Sequence, residues 1–322
     1  MKVFLHIITN SILPIFVLIF LGYYVSKKKD FDIQTLSKIN VNIYLPIFIF
    51  VNLYTTTIPY EMFKVFIYSI LFLLFNEILT NIVIKLKKYD SNMASAIKNS
   101  VMFYNVGNIG IPIVMLVFSS SPFIKNGQRP YLDIALATQF VIYITQNISM
   151  YSIGFFNANR GKLHWRDSVK RILSMPSIHA IPLAFIMKQI PYDLTEIPIW
   201  SSLSQVKEGF VSLILITLGI QLSKTQLNLK DKNVYFTTIL RLIVGPLLTL
   251  FLIYIMGFEG VIAQTILISS AAPTAVNIAL IAIDSDTCPD FVSQVVTTST
   301  LLSGIILAFI IFIARILFPV AI

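Results

Sequence analysis

The stretch FYNVGNIGIPIVM, residues 103–115, decides how this chain is read. Its flanks suit a membrane interior, yet Asn105, Gly107, Asn108, Gly110 and Pro112 belong in a loop. Pro112 has no amide proton, so the carbonyl of Asn108 loses its helical partner, at a cost of roughly 3 kcal/mol in a helix interior. Gly107 and Gly110 add backbone freedom that opposes a helix. Lipid offers no substitute partner, and irregular backbone at membrane depth survives only when buried in protein or lining a wet cavity. The segment therefore reads as a membrane helix interrupted at its centre.

Composition agrees with a membrane setting. Of 322 residues, 56% are hydrophobic and 12% are charged, with mean hydropathy +0.81. Soluble domains carry about 25% charged residues. The net charge of +9 reads as lysines anchoring cytoplasmic loops. A nucleic-acid role would need basic residues clustered on a soluble face, and the hydropathy shows no soluble domain. Cys288 is the single cysteine, which excludes an intramolecular disulfide or a cysteine cluster. His6, His164 and His179 are isolated, without metal-ligand spacing. No metal or cofactor is expected beyond a coupled H+ or Na+.

Hydropathy against a bilayer core of about 30 Å marks ten candidate segments: 4–25, 35–57, 61–84, 94–119, 131–156, 176–190, 199–222, 233–256, 260–283 and 291–318, of which the sixth is short and is expected to extend at one end. The first is too long for a signal h-region and no small-residue cleavage site follows, so it reads as a retained span. One set of loops carries Lys27, Lys28, Lys29, Lys85, Lys87, Lys88, Arg160, Lys162, Arg166, Lys170, Arg171, Lys224, Lys230 and Lys232. The opposite set carries only Lys2, Lys125, Arg129 and Lys188. The positive-inside rule makes the rich set cytoplasmic and places both termini outside, in a multi-pass protein of the cell membrane.

The longest polar loop lies near the middle. Its stretch WRDSVKRIL suits a short amphipathic helix on the membrane surface. It divides the chain into a first five-helix repeat (1–157), a linker (158–175) and a second repeat (176–322). An odd number of spans per half inverts the second half, the topology of an inverted repeat. Pro14 and Pro182 lie 168 residues apart and Pro112 and Pro273 lie 161 apart, which suggests equivalent places in the two halves.

The ninth segment carries its own interruption, SSAAPTAVN, residues 269–277, with Pro273, Thr274 and Asn277. Interrupted spans at corresponding positions are the best sequence pointer to a transporter binding site. The fourth span runs outward and the ninth inward, so the half-helices starting near Pro112 and Pro273 face each other by their N-termini. Each N-terminus carries roughly half a positive charge and free amide donors. Two suit one carboxylate, with Asn105, Asn108 and Asn277 as further donors.

Asn105-Val-Gly107-Asn-Ile-Gly110-Ile-Pro112 resembles the fourth-span motif of the auxin efflux carrier family. Pro273-Thr274-Ala-Val-Asn277 resembles its ninth-span motif and Ser299-Thr300-Leu-Leu-Ser303 its tenth-span signature. The resemblance implies an all-α membrane protein of ten helices, two inverted five-helix repeats with crossing broken helices in spans 4 and 9. It implies a moving transport domain (spans 3–5 and 8–10) and a scaffold (spans 1, 2, 6 and 7) that forms homodimers in many members. It also implies a small organic anion as substrate: bacterial relatives carry acids such as malate or malonate, and plant relatives export auxin. The chain lacks the long central loop of the long plant forms, so it is similar to compact bacterial members. Position 108 varies in the family, which makes Asn105 the safer carry-over.

Other polar residues have two readings each. Glu77 is the acid set deepest in an apolar span, and a charge there costs at least about 2.5–3.5 kcal/mol. It is either a proton or sodium coupling site or a residue that faces a cavity or pairs with a polar group on a neighbouring span. Arg241 and Lys98 either snorkel to the cytoplasmic surface or balance substrate charge, Arg241 being the first candidate for a dianion. Gln146 and Asn147 in the fifth span and Thr300 in the tenth either bind helix to helix or support the crossover or coordinate a cation. Lys207 and Glu208 are adjacent, so they do not face each other on a helix. An intramembrane enzyme is disfavoured by the lack of HExxH, GxGD, nucleophile–histidine and Walker A patterns. A channel or sensor is disfavoured by the lack of a repeated pore loop or signalling domain. A sodium- or proton-coupled symporter or exchanger of another solute is the nearest alternative.

Overall fold

The computed structural model describes residue 5 and residues 8–56, 59–159, 165–224 and 231–320. Lys2, His6, Arg160, Lys162, His164 and Lys230 lie outside the described residues. Among the described residues the chain is helical, with no strand beyond two isolated bridges. In chain order the helices are α1 (Leu13–Lys28, led by a π-helical turn Ile8–Ile12), α2 (Ile33–Thr55), α3 (Glu61–Lys87), α4 (Ser91–Met102), α5 (Val106–Phe118), α6 (Leu132–Ser149, continued by Met150–Gly154 and Phe155–Ala158) and α7 (Trp165–Leu173). Then come α8 (Pro176–Met187), α9 (Pro198–Lys224), α10 (Lys232–Met256), α11 (Gly260–Ser270), α12 (Val276–Asp284) and α13 (Pro289–Leu317). Five of these, α2, α3, α9, α10 and α13, are long and apolar enough to cross a membrane, and α5, α8 and α11 are shorter apolar helices.

Local chemistry sets several starts. Asp32, Asp90 and Asp231 each accept a backbone N–H in the first turn of α2, α4 and α10. These caps satisfy donors that have no intrahelical partner. Gly257 ends α10 in the left-handed region at φ 60°. The sixth apolar segment gives a helix only to Met187, three residues short of the expected end; Lys188 leaves it to donate to the Thr56 carbonyl.

Two groups of helices pack internally. In the first, α1 lies along α9, and α2 packs on both α8 and α9. The α1–α9 crossing is close because of glycine. A Cβ on Gly22 would stand 2.1 Å from the Ile216 carbonyl oxygen, and one on Gly219 would stand 1.9 Å from that of Ile19. The second group joins α3, α4, α5 and α6 to α10, α11, α12 and α13. Between the groups Phe48 of α2 stacks on Phe210 of α9 at 4.4 Å and meets Phe140 of α6 edge-on at 6.0 Å. All three rings are fully buried.

Candidate functional site

Helix is absent at residues 103–105 and 271–275, and these two gaps meet. Asn105 N–H donates to the Pro273 carbonyl at 2.7 Å, and Ala275 N–H donates to the Phe103 carbonyl at 3.0 Å. The bonds form a minimal antiparallel bridge between Tyr104 and Thr274. It satisfies backbone groups that lipid would leave bare. Further bonds lock the junction. The Thr274 hydroxyl donates to the Ser100 carbonyl at 2.8 Å, and Thr274 N–H donates to the Ser299 hydroxyl at 3.2 Å. Ser299 belongs to the third sequence motif, which thereby serves the ninth segment.

The interruption in FYNVGNIGIPIVM falls earlier than expected. It ends at Asn105, whose side-chain oxygen accepts from Asn108 N–H at 3.0 Å and caps α5. Val106–Gly110 then wind as a π-helical turn, so Pro112 sits in the first turn of regular helix rather than at the break. The turn is held by i→i+5 bonds, Gly110 N–H to the Asn105 carbonyl at 2.9 Å and Ile111 N–H to the Val106 carbonyl. The bridge partners, Tyr104 and Thr274, are 170 residues apart, a spacing nearer to that of Pro14 and Pro182 than to that of Pro112 and Pro273.

Beside the bridge lies a cavity of about 390 Å³. The N-terminal turn of α5 supplies Asn105, Val106, Gly107 and Asn108, and that of α12 supplies Val276 and Asn277. Gln146 and Asn147 of α6 line it as well. The wall is completed by Gln34, Lys38 and Asn40 of α2, Tyr143 of α6, Ser177 of α8, and Thr217 and Gln221 of α9. Tyr143 donates to the Ser177 hydroxyl at 3.3 Å across the two helix groups. Among the described lining residues Lys38 is the only charged side chain.

Several buried amide atoms on this wall have no hydrogen-bond partner: Asn105 Nδ2, Gln146 Nε2 and Oε1, and Asn40 Oδ1. Their residues are 5%, 2% and 4% exposed. Buried polar groups are ordinarily paired, so these atoms mark unused hydrogen-bonding capacity on the wall.

The other sequence candidates stand behind the wall. Gly110 is buried and leaves room for Gln139: a Cβ there would be 2.5 Å from Gln139 Nε2, which donates to the Val106 carbonyl at 2.8 Å. Pro112, Pro273 and Thr274 are buried and shape the junction without lining the cavity. Thr300 donates to the Val296 carbonyl in its own helix. Glu77 pairs with Lys98 at 3.6 Å, away from the cavity. Lys98 thus has a partner on the neighbouring helix rather than a purely aqueous terminus. Arg241 departs furthest from the snorkelling expectation. It is fully buried, and its guanidinium donates to the carbonyls of Val101, at 2.7 Å, and Ser270. Gln139, Tyr143, Asn40 and Lys38 were not singled out by sequence. An isolated polar residue in an apolar run gives no sign of which way it faces.

Comparison with known proteins agrees with this architecture. A family model described as membrane transport protein matches residues 7–168 and again residues 163–311. An uncharacterized transporter of Methanothermobacter thermautotrophicus is 23% identical over 304 residues, covering 92% of this chain and 94% of that protein. With nearly the whole chain matched and the three motifs in place, this multi-pass membrane protein belongs to the membrane transport protein family, the auxin efflux carrier-like group of transporters.

Proposed function

We propose that the protein is a secondary transporter of small organic anions that binds a carboxylate between the N-termini of α5 and α12. One observation carries the reading: two paired chain interruptions present two helix N-termini and unsatisfied amide side chains to one cavity whose described lining holds no acid. About half a positive charge at each N-terminus matches one carboxylate without a buried fixed ion. Asn105 and Gln146 supply donors to it. Gln146 Oε1 and Asn40 Oδ1 are acceptors, which favours an acid that also bears a hydroxyl or N–H. Lys38 is positioned on the wall for a second carboxylate.

The reading takes the helices as ten crossings in two inverted repeats, residues 1–157 and 176–322 about the linker 158–175. The α1–α2–α8–α9 group is the scaffold, with the capacity to form a homodimer, and the other helices are the moving domain. The cavity wall draws on the start of α2, the end of α6, the start of α8 and the end of α9. By the lysine and arginine distribution these ends are cytoplasmic, so the conformation is inward-facing. Phe48, Phe140 and Phe210 then close the outer side. Glu77 is an ion-pair partner of Lys98 in this scheme, so coupling to H+ or Na+ does not use it.

The test is counterflow in proteoliposomes preloaded with an unlabelled mono- or dicarboxylate. Labelled acid should accumulate transiently, and Asn105→Ala combined with Asn277→Ala should abolish the overshoot. Undiminished counterflow in that double variant would refute the site.

A further inference from the structure

Arg241 is the largest fully buried side chain of the described structure. Among the described residues no carboxylate pairs with it. An unpaired buried cation is costly, so its surroundings must compensate. They do so through backbone. Nη1 takes the Val101 carbonyl at the C-terminal end of α4, and Nη2 takes the Ser270 carbonyl at the C-terminal end of α11. Each C-terminus carries about half a negative charge, so two of them balance one guanidinium. The planar fork suits this task because its donors diverge in a fixed geometry. The ring of Tyr104, the bridge residue that lines the cavity, lies 4.7 Å from the guanidinium carbon, and that of Phe72 lies 5.6 Å away.

Local sequence makes the room. α10 winds as a π-helical turn over Leu240–Val244, and Gly245 follows. A Cβ at Gly245 would stand 2.6 Å from Nη2. Arg241 and Gly245 thus form a matched pair four residues apart.

We infer that Arg241 is the positioning residue of the junction. It clamps the C-termini of α4 and α11 together, and thereby holds the N-termini of α5 and α12 convergent on the other side of the Tyr104–Thr274 bridge. Four half-helix ends are sorted by sign: two negative ends face one arginine, and two positive ends face the cavity. Only the anionic nature of the ligand rests on the proposed function; the clamp itself does not.

Hydrogen–deuterium exchange on the purified full chain tests the clamp without any substrate. In the wild type, peptides covering residues 103–106 and 271–276 should be protected by the bridge. Arg241→Met should raise their exchange by about tenfold or more, the loss expected for hydrogen bonds to a charged group, while α1 and α9 stay unchanged. Arg241→Lys keeps the charge but not the fork and should recover only part of the protection. Exchange within about twofold of wild type in Arg241→Met, or a rise spread equally over α1 and α9, would overturn the inference. Should Arg241→Met fail to fold, Gly245→Ala keeps the charge and displaces the fork. The same local rise is then expected, and unchanged exchange would overturn the clamp. Added sodium formate should protect residues 106–108 and 276–277 in the wild type and do so far less in Arg241→Lys or Gly245→Ala. A wild type that formate does not protect at all counts against the anion site and leaves the clamp standing.

Discussion

Asn105 does two jobs through two different atoms, and substitution separates them. Its side-chain oxygen caps α5 by accepting from Asn108 N–H, while Nδ2 is buried without a partner in a residue of the cavity wall. Asn105→Ala removes both. Loss of a cap costs about 1 kcal/mol of stability, and loss of a donor to a carboxylate costs about 1.5–3 kcal/mol of binding, roughly 10- to 150-fold in KM. Asn105→Asp keeps an acceptor at the cap, where the helix N-terminus favours negative charge. It removes the donor and sets a second carboxylate against the first. At about 4 Å and an effective dielectric near 20 that repulsion is about 4 kcal/mol. Thermal unfolding in detergent should therefore rank Asp at or above wild type and Ala below it. Carboxylate uptake should rank in a different order, wild type, then Ala, then Asp nearly inactive. Uptake by Asn105→Asp equal to or above that of Asn105→Ala would refute the placement of the anion at this helix end.

Three further outcomes are expected. Gly219→Ala places a Cβ against the Ile19 carbonyl, so α1 and α9 must part; a loss of about 1–3 kcal/mol or more should show as a lowered melting temperature in detergent. Glu77→Gln breaks a partly exposed ion pair and should cost no more than about 1 kcal/mol. Uptake measured against imposed sodium and pH gradients should keep its wild-type dependence, and loss of that dependence would make Glu77 the coupling site. Burial and the neighbouring Asp90 and Asp286 push the Cys288 thiol up, so little of it is thiolate at neutral pH. Labelling by an impermeant maleimide should be slow at pH 7 and accelerate at higher pH. It should occur only from the cytoplasmic face, and labelling of intact cells from outside would reverse the proposed topology.

The helical class and the neighbourhood of the two interruptions were legible because interruption is a local property. Proline, glycine and asparagine at 105–112 and 269–277 conflict with an apolar helix wherever they are placed. What closes the junction was not legible. Arg241 read as a snorkelling residue because its distance from a loop was visible and its direction was not. The α10 π turn and the space at Gly245 turn it inward, toward the carbonyls of Val101, 140 residues earlier, and Ser270, 29 residues later. Pro112 misled for a related reason: a proline is tolerated in the first turn of a helix, where it stands here, and the gap lies at residues 103–105. Gln146 was legible as polar, but only packing shows both its amide atoms buried without a partner.

The central claim is that a carboxylate sits between the N-termini of α5 and α12, in contact with Asn105. Solid-state NMR on reconstituted protein, with carboxyl-13C acid and 15N-labelled asparagine side chains, measures that contact directly. The account predicts carbon–nitrogen dipolar dephasing from a separation of about 3.5–4 Å, as a hydrogen bond of ordinary length requires, and its disappearance in Asn105→Ala. A transported acid that shows no such dephasing, or whose dephasing survives Asn105→Ala combined with Asn277→Ala, would contradict it.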